Sequence, residues 1–429
     1  IRKEASVPLS PSVALLYRFL HRIARPIIRL LFRCRIEPNR EAAEYRGPLL
    51  VLANHVGFAD PVFVALSLPS RRPVRFVVGA HLYTKPVAGY LLRLIKVIPK
   101  LQFVRDSTAV RQILTGLRED NIIGIFPEGQ RSVDGRSLPI DGAITKLVQR
   151  TGAALLTLRI DGACLAWPRW RGMRPTPGRI ALRSRFYEPE KVAAMKPDAL
   201  HRLILDDLKG NDYDWADSVG RPRYLGGRST RGLADLLHRC PNCEHDFVMR
   251  QEGRHALRCS YCGATSELRR TGFFAPGAPF PHPAAWHLWQ IEAARQERAS
   301  GAVRKLRATC QQIGNESDPY AASGPLLDGT LVLEQRRLVF IPDHSDQEAQ
   351  ETQETLETQE TQEPAPDAFY WALSAAPEYY FMDLGIYVDL YTNGTRHRIC
   401  PLTPQAVSMI NDWAEAGLLE EAMESQAAG

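Results

Sequence analysis

The sequence predicts an α/β domain over residues 41–210, a mostly parallel sheet with helices on its faces, followed by a small cysteine-built unit and a mainly β module closed by one helix. Strand-length apolar runs alternate with helix-length amphipathic segments through the first half of the chain. Two Cys-x-x-Cys pairs, Cys240/Cys243 and Cys259/Cys262, stand fifteen residues apart. Beyond residue 329, short strand-like segments recur, one pair of them joined by Asn393-Gly394, which fits a type I′ hairpin turn.

The whole chain bounds the answer before any motif is read. At 429 residues it is long enough for two or three domains of about 150 residues each. With 54 Lys+Arg against 48 Asp+Glu the net charge is +6, too mild by itself to name a partner. The distribution says more, because basic residues crowd the first forty positions and acidic ones a late tract. No apolar run of about 18 residues is free of charge, so no ordinary transmembrane helix is expected, and no signal-peptide pattern is present. The sequence opens at Ile1 rather than Met, which leaves room for residues before it. Four of the eight cysteines, Cys34, Cys164, Cys310 and Cys400, are scattered among apolar or helical residues and read as reduced structural thiols.

Residues 1–40 are expected to supply an amphipathic helix over 13–36. Arg18, Arg22, Arg25, Arg29 and Arg33 fall on one face at 3.6 residues per turn, and Leu, Ile and Phe occupy the remaining arc. Such a helix lies in a lipid interface with its arginines at anionic headgroups, kinked near Pro26; the plainer reading is a surface helix packed on the domain behind it. Strands are expected at 49–53, 74–78, 96–99, 122–126, 154–160 and 179–183, with helices at 61–68, 83–94, 109–119, 143–150 and 197–209. Residues 211–235 read as a linker, 236–268 as the cysteine unit, and 284–313 as a helical connector. Residues 320–420 form the β module, interrupted at 347–367 by a Gln/Glu/Thr-rich insertion that cannot bury a core and is expected to be disordered.

The chemistry concentrates at strand ends. The run at 49–53 leads into Asn54-His55-Val56-Gly57-Phe58-Ala59-Asp60 and then into an apolar helix. A histidine at such a turn, held by a carboxylate five positions on, keeps its other ring nitrogen available to take a proton from a substrate hydroxyl. A second strand, 122–125, leads into Phe126-Pro127-Glu128-Gly129-Gln130-Arg131-Ser132, where Gly129 permits a tight turn and Arg131 offers a planar fork for a phosphate.

In this order the two motifs resemble the glycerophospholipid acyltransferase family, of which lysophosphatidic acid acyltransferases are the best-known members. The resemblance spans about residues 49–160. It implies that His55 is the general base and Asp60 its orienting partner, with transfer from an acyl thioester, acyl-CoA or acyl carrier protein, to a lysophospholipid hydroxyl such as that of 1-acylglycerol-3-phosphate. Glu128, Gly129 and Arg131 correspond to the acceptor-binding block, Glu128 hydrogen bonding the glycerol or fixing Arg131, or else forming a structural salt bridge. For the family's intermediate basic residue two cations compete, Arg105 and Lys100. Gln130, where many members have Thr, and the absence of a Pro in 155–158 leave a non-phosphate lyso-lipid open as acceptor. With the Arg-striped helix, the reading is a peripheral, monotopic enzyme on the cytoplasmic face of the cell membrane, in contact with anionic lipids. The rival is an adaptor whose acyltransferase domain is inactive.

Two thiolate pairs with strand-like residues at 247–249 and 256–258 between them suit tetrahedral zinc. Cys240, Cys243, Cys259 and Cys262 fill the shell, so the ion is expected to be structural, and His238, His245 and His255 read as surface residues. The unit lacks the dense basic and aromatic surface that nucleic acid needs. The segment from Trp286 to Gln290 resembles one that follows a similar ribbon in bacterial acyltransferase homologues. The β module resembles a pleckstrin-homology-like or GRAM-like domain, which binds lipid headgroups or serves as a packing surface.

Overall fold

The computed structural model describes residues 11–37, 39–68, 72–84, 86–101, 106–172, 174–225, 229–314, 322–335, 337–343, 369–372, 380–392 and 395–427. The 347–367 insertion, the Asn393-Gly394 turn and Arg105 lie outside them.

Seven strands form the first sheet: β1 (Arg35–Ile36), β2 (Leu49–Ala53), β3 (Val74–Gly79), β4 (Ile98–Lys100), β5 (Ile122–Ile125), β6 (Ala154–Asp161) and β7 (Ala181–Tyr187). Their order is β1-β7-β6-β2-β5-β3-β4. From β6 through β4 all neighbours are parallel, whereas β7 pairs antiparallel to β6, and β1 runs parallel to β7. β2 sits centrally with every residue buried, as a strand covered on both faces by helices must be. The strands expected at 96–99 and 179–183 each begin two residues later, as Ile98–Lys100 and Ala181–Tyr187. A parallel sheet gathers its functional loops beyond the carboxyl ends of its strands, and here β2 and β5 lead directly into the His55 and Glu128 segments.

The N-terminal helix Pro11–Leu31 is shorter than the expected 13–36 because Arg33 turns to φ +39 and Arg35–Ile36 join the sheet. It lies on the helix Asp60–Ser67: His21 Nε2 contacts the Leu68 carbonyl at 3.1 Å, and Phe32 meets Phe63 edge to face at 5.6 Å. Its outer side exposes Leu15, Phe19, Ile23, Ile27, Leu30 and Leu31. No helix among the described residues is long and apolar enough to cross a membrane.

Residues 211–235, expected as a linker, instead carry the helices Asp212–Ser218 and Leu233–Leu236, with Tyr213, Trp215, Leu233 and Leu236 buried. The cysteine unit is an antiparallel sheet of β8 (Met249–Glu252), β9 (Ala256–Cys259) and β10 (Thr265–Glu267). The helix Pro283–Ala299 follows. The helical connector expected at 284–313 stops there: Gly301 takes φ +77, and Arg304–Ile313 form β11, in which Leu306, Ala308 and Cys310 are buried alternately with more exposed residues. That two-residue period is a strand's.

β11 enters a seven-stranded antiparallel sheet with β12 (Ala322–Leu333), β13 (Arg337–Pro342), β14 (Phe369–Ala372), β15 (Tyr380–Asp383), β16 (Tyr387–Thr392) and β17 (Thr395–Pro401), in the order β14-β13-β12-β11-β17-β16-β15. The closing helix runs Ala406–Ala427 and buries Val407, Ile410 and Trp413. All eight cysteines are free thiols.

Candidate active site

The His55 turn is built around one carboxylate oxygen. Asp60 opens the helix Asp60–Ser67, is fully buried, and its Oδ2 accepts the N–H groups of Val56 at 2.7 Å and Gly57 at 2.8 Å as well as His55 Nδ1–H at 2.9 Å. Gly57 is required by space, because a Cβ there would lie 2.9 Å from both Asp60 Oδ1 and the Ala163 Cβ. Asn54, named in the motif without a role, pins the end of β2 to β6: its Nδ2–H donates to the Ile160 carbonyl at 2.9 Å and its Oδ1 accepts the Ile160 N–H at 2.7 Å.

With Nδ1–H committed to Asp60, the His55 lone pair is on Nε2, for which no hydrogen-bond partner occurs among the described residues. The ring stacks on Phe126 at 4.3 Å, itself stacked on Phe76. Burial lowers the His55 pKa, with Arg131 and Arg169 adding to the effect and Asp60 opposing it. The imidazole is therefore neutral at neutral pH, the form a base requires.

Glu128 holds backbone on two sides of the site. Its Oε1 accepts the His55 backbone N–H at 3.1 Å and its Oε2 accepts the Leu138 N–H at 3.0 Å. Both oxygens thus hold backbone, neither fixes Arg131, and burial raises its pKa to about 8. Gly129 takes φ +74, which lets the chain turn between Phe126 and Arg131. Ser132 N–H then donates to the His55 carbonyl at 2.8 Å, so the two motifs interlock through backbone.

Arg131 lies with its guanidinium 5.2 Å above the exposed Phe58 ring, which leans on Trp167 at 4.9 Å. Lys100 ends β4, on the same edge of the sheet but beyond β5 and β3, and its Nζ donates to the Leu101 carbonyl at 3.2 Å. The residue that sequence reading missed is Arg169, whose Nη1–H donates to the Arg131 carbonyl at 2.8 Å. It lies outside both motifs, and no local pattern marks it.

Residues 34–161 match the Acyltransferase family model. That segment, under a third of the chain, contains β2, β5, the His55 turn and the Glu128 loop, and it is the acyltransferase domain below. Among solved structures, the 1-acyl-sn-glycerophosphate (LPA) acyltransferase PlsC of Thermotoga maritima is similar at 18% identity, covering 49% of this chain and 88% of that one, with a TM-score of 0.37.

Two further clusters of titratable side chains lie apart from this site. Cys240, Cys243, Cys259 and Cys262 bring their Sγ atoms within 4.8 Å of one another, with 3.7 Å for Cys240–Cys262 and for Cys243–Cys259. A tetrahedron with Zn–S of about 2.3 Å has edges of about 3.8 Å. Asn242 N–H, Tyr261 N–H and Cys262 N–H point at the sulfurs, as thiolate ligands favour. The donor set fits such an ion.

The second cluster is a buried chain of acids and histidines. His287 is fully buried, with Nδ1 2.8 Å from Asp134 Oδ2 and Nε2 2.8 Å from Asp412 Oδ1. Asp412 Oδ2 in turn meets His238 Nε2 at 3.0 Å, and Arg136 Nε–H donates to Asp134 at 2.6 Å. Burial opposes charge on His287, but the Asp412 and Asp134 carboxylates outweigh it and raise its pKa to about 10. His238, expected at the surface, is buried in this chain because Asp412 reaches it from the closing helix.

Proposed function

We propose that the acyltransferase domain transfers a fatty acyl group from an acyl thioester, acyl-CoA or acyl carrier protein, to the hydroxyl of a lysophospholipid. The observation that carries this is the His55 ring, with Nδ1–H held by the buried Asp60 and Nε2 left to accept a proton. Nε2 takes the acceptor hydroxyl proton as the oxygen attacks the thioester carbonyl. The tetrahedral intermediate expels the thiolate, which recovers the proton from the imidazolium, so no acyl-enzyme is needed. Arg131 binds the acceptor's phosphate, with Lys100 or Arg105 as a further cation. The motif resemblance points to 1-acylglycerol-3-phosphate as the parent acceptor.

The four cysteines hold a structural zinc ion, and the β module is a pleckstrin-homology-like or GRAM-like domain. The exposed apolar side of the N-terminal helix, continued by Phe58 and Val62 near the site, seats the enzyme peripherally on the anionic cytoplasmic face of the cell membrane. Release of free thiol from acyl-CoA or acyl carrier protein with lysophospholipid acceptors tests the activity. His55→Ala is expected to lower kcat by about 10²–10⁴-fold while leaving thermal unfolding in place, and full turnover by that variant would falsify the mechanism.

A further inference from the structure

The segment after β6 touches the acceptor motif twice. The short helix Ala163–Ala166 ends at Trp167, whose ring lies 4.9 Å from Phe58, the ring beneath the Arg131 guanidinium. The turn Arg169–Arg171 follows, and there Arg169 Nη1–H donates to the Arg131 carbonyl at 2.8 Å. The Trp167 indole N–H donates to the Gly172 carbonyl at 2.7 Å and closes the segment on itself. One short stretch thus holds Arg131 by its backbone and, through Phe58, by its side chain. It lies beyond residues 34–161, the part that matches the family model.

The same stretch is held from the C-terminal half of the chain. Arg169 Nη2–H donates to the Met382 carbonyl of β15. A Cβ at Gly232 would overlap the Trp170 carbonyl oxygen, so the helix Leu233–Leu236 begins directly against the turn. Gly385, at φ +73 in the β15–β16 connection, lies so near that helix that a Cβ there would approach Asp235 Oδ2 at 3.3 Å. The β module therefore reaches the Arg169 turn by two routes, one direct and one through the helix. A guanidinium suits this junction, because its rigid planar fork donates in two fixed directions at once, whereas an ammonium on a flexible stem is a single point.

We propose that Arg169 is a positioning residue of the acyl-acceptor site, fixing Arg131 against β15, so that the β module completes the site that Arg131 offers to the acceptor's phosphate. The inference rests on the acyl-transfer reading and deepens it. The acceptor loop turns at Gly129 and is tied to the His55 carbonyl at Ser132; Arg169 fastens the loop at Arg131, between those two points. A planar grip on phosphate tolerates little displacement of the guanidinium. Losing the Arg169 fork therefore weakens acceptor binding and leaves the His55–Asp60 pair as it is.

The experiment uses the full-length, zinc-loaded chain and follows thiol release from one acyl-CoA with 1-acylglycerol-3-phosphate in mixed micelles. Arg169→Gln is expected to raise the acceptor KM by about tenfold, with kcat and the acyl-CoA KM changed by less than about twofold. Arg169→Lys keeps the charge without the fork and is expected to raise the acceptor KM as much. In an Arg131→Gln background, Arg169→Gln should lower kcat/KM little further, because both changes act through one side chain. Gly385→Ala, which strains the β15–β16 connection against Asp235, should raise the acceptor KM by about threefold and add nothing in the Arg169→Gln background. A merely structural role would lower kcat and thermal stability and leave the acceptor KM where it is. An unchanged acceptor KM in Arg169→Gln or in Gly385→Ala, losses that add in either double variant, or full rescue by Lys, which would make Arg169 a second cation for the phosphate, overturns the proposal while acyl transfer stands. A wild type that transfers to no lysophospholipid overturns the acyl-transfer reading and this one with it. Should Arg169→Gln not fold, Arg169→Lys and Gly385→Ala decide.

Discussion

The Glu128 carboxylate accepts the backbone N–H of His55 at 3.1 Å, so the acid of the second motif holds the histidine of the first. It bridges to Leu138 at the same time and spans the two loops that the sheet sets side by side. Glu128→Gln replaces one acceptor oxygen by an N–H₂ that faces a backbone donor. The expected result is a kcat lowered by about tenfold or more with acceptor KM little changed, since a lost buried hydrogen bond costs about 1–3 kcal/mol. Steady-state kinetics decide it: a raised KM at retained kcat would mean that Glu128 touches the acceptor instead.

The cysteine cluster sets a metal prediction. Purified protein should contain one zinc per chain, and Cys259→Ser should lose it and lower the melting temperature by on the order of 10 °C. Elemental analysis and calorimetry read both. Cys310→Ser, in the β module, should leave the zinc content alone.

Buried His287 predicts how stability changes with pH. Its folded pKa, about 10, lies above the ordinary histidine value. Its contribution is therefore fully present below about pH 6.5 and declines as pH rises toward 10, by about 1.4 kcal/mol per unit for one proton. Denaturant unfolding at pH 6.5 and 9 should show wild type losing more stability than His287→Gln over that interval. Equal losses would mean that the imidazole is not charged in the fold.

Membrane contact is tested on the N-terminal helix. Ile23 and Leu30 are exposed on it, and burying each in lipid contributes about 1.5–3 kcal/mol. Ile23→Glu combined with Leu30→Glu should weaken flotation with anionic vesicles by at least tenfold; undiminished flotation would assign the helix to a protein partner or to bare solvent.

How much of this was legible in the sequence depended on the range of the interaction. β2, β5 and the turns after them announce themselves because apolar runs and glycines act within a few residues, and the four cysteines because their spacing is itself the chemistry. β11 was hidden by its place after a true helix, where Gly301 marks the break but also fits an ordinary helix end. β1 depends on a partner more than a hundred residues away, which no local pattern encodes, and the antiparallel direction of β7 is set by its pairing with β6. Arg169 and His287 were missed as parts of the molecule's inner connections for the same reason. Their partners Met382, Asp134 and Asp412 come from distant stretches, and only folding brings them together.

The shared burial of Asp134, His287 and Asp412 has a consequence for how the chain comes apart. One imidazolium sits between a carboxylate of the acyltransferase domain and one of the closing helix, so undocking that helix would take Asp412 away and leave His287 with one of its two carboxylates. The His55 domain and the closing helix share this buried charge, and calorimetry is expected to show them melting together. For the same reason, residues 34–161 cut out alone would carry Asp134 without the His287 imidazole that faces it.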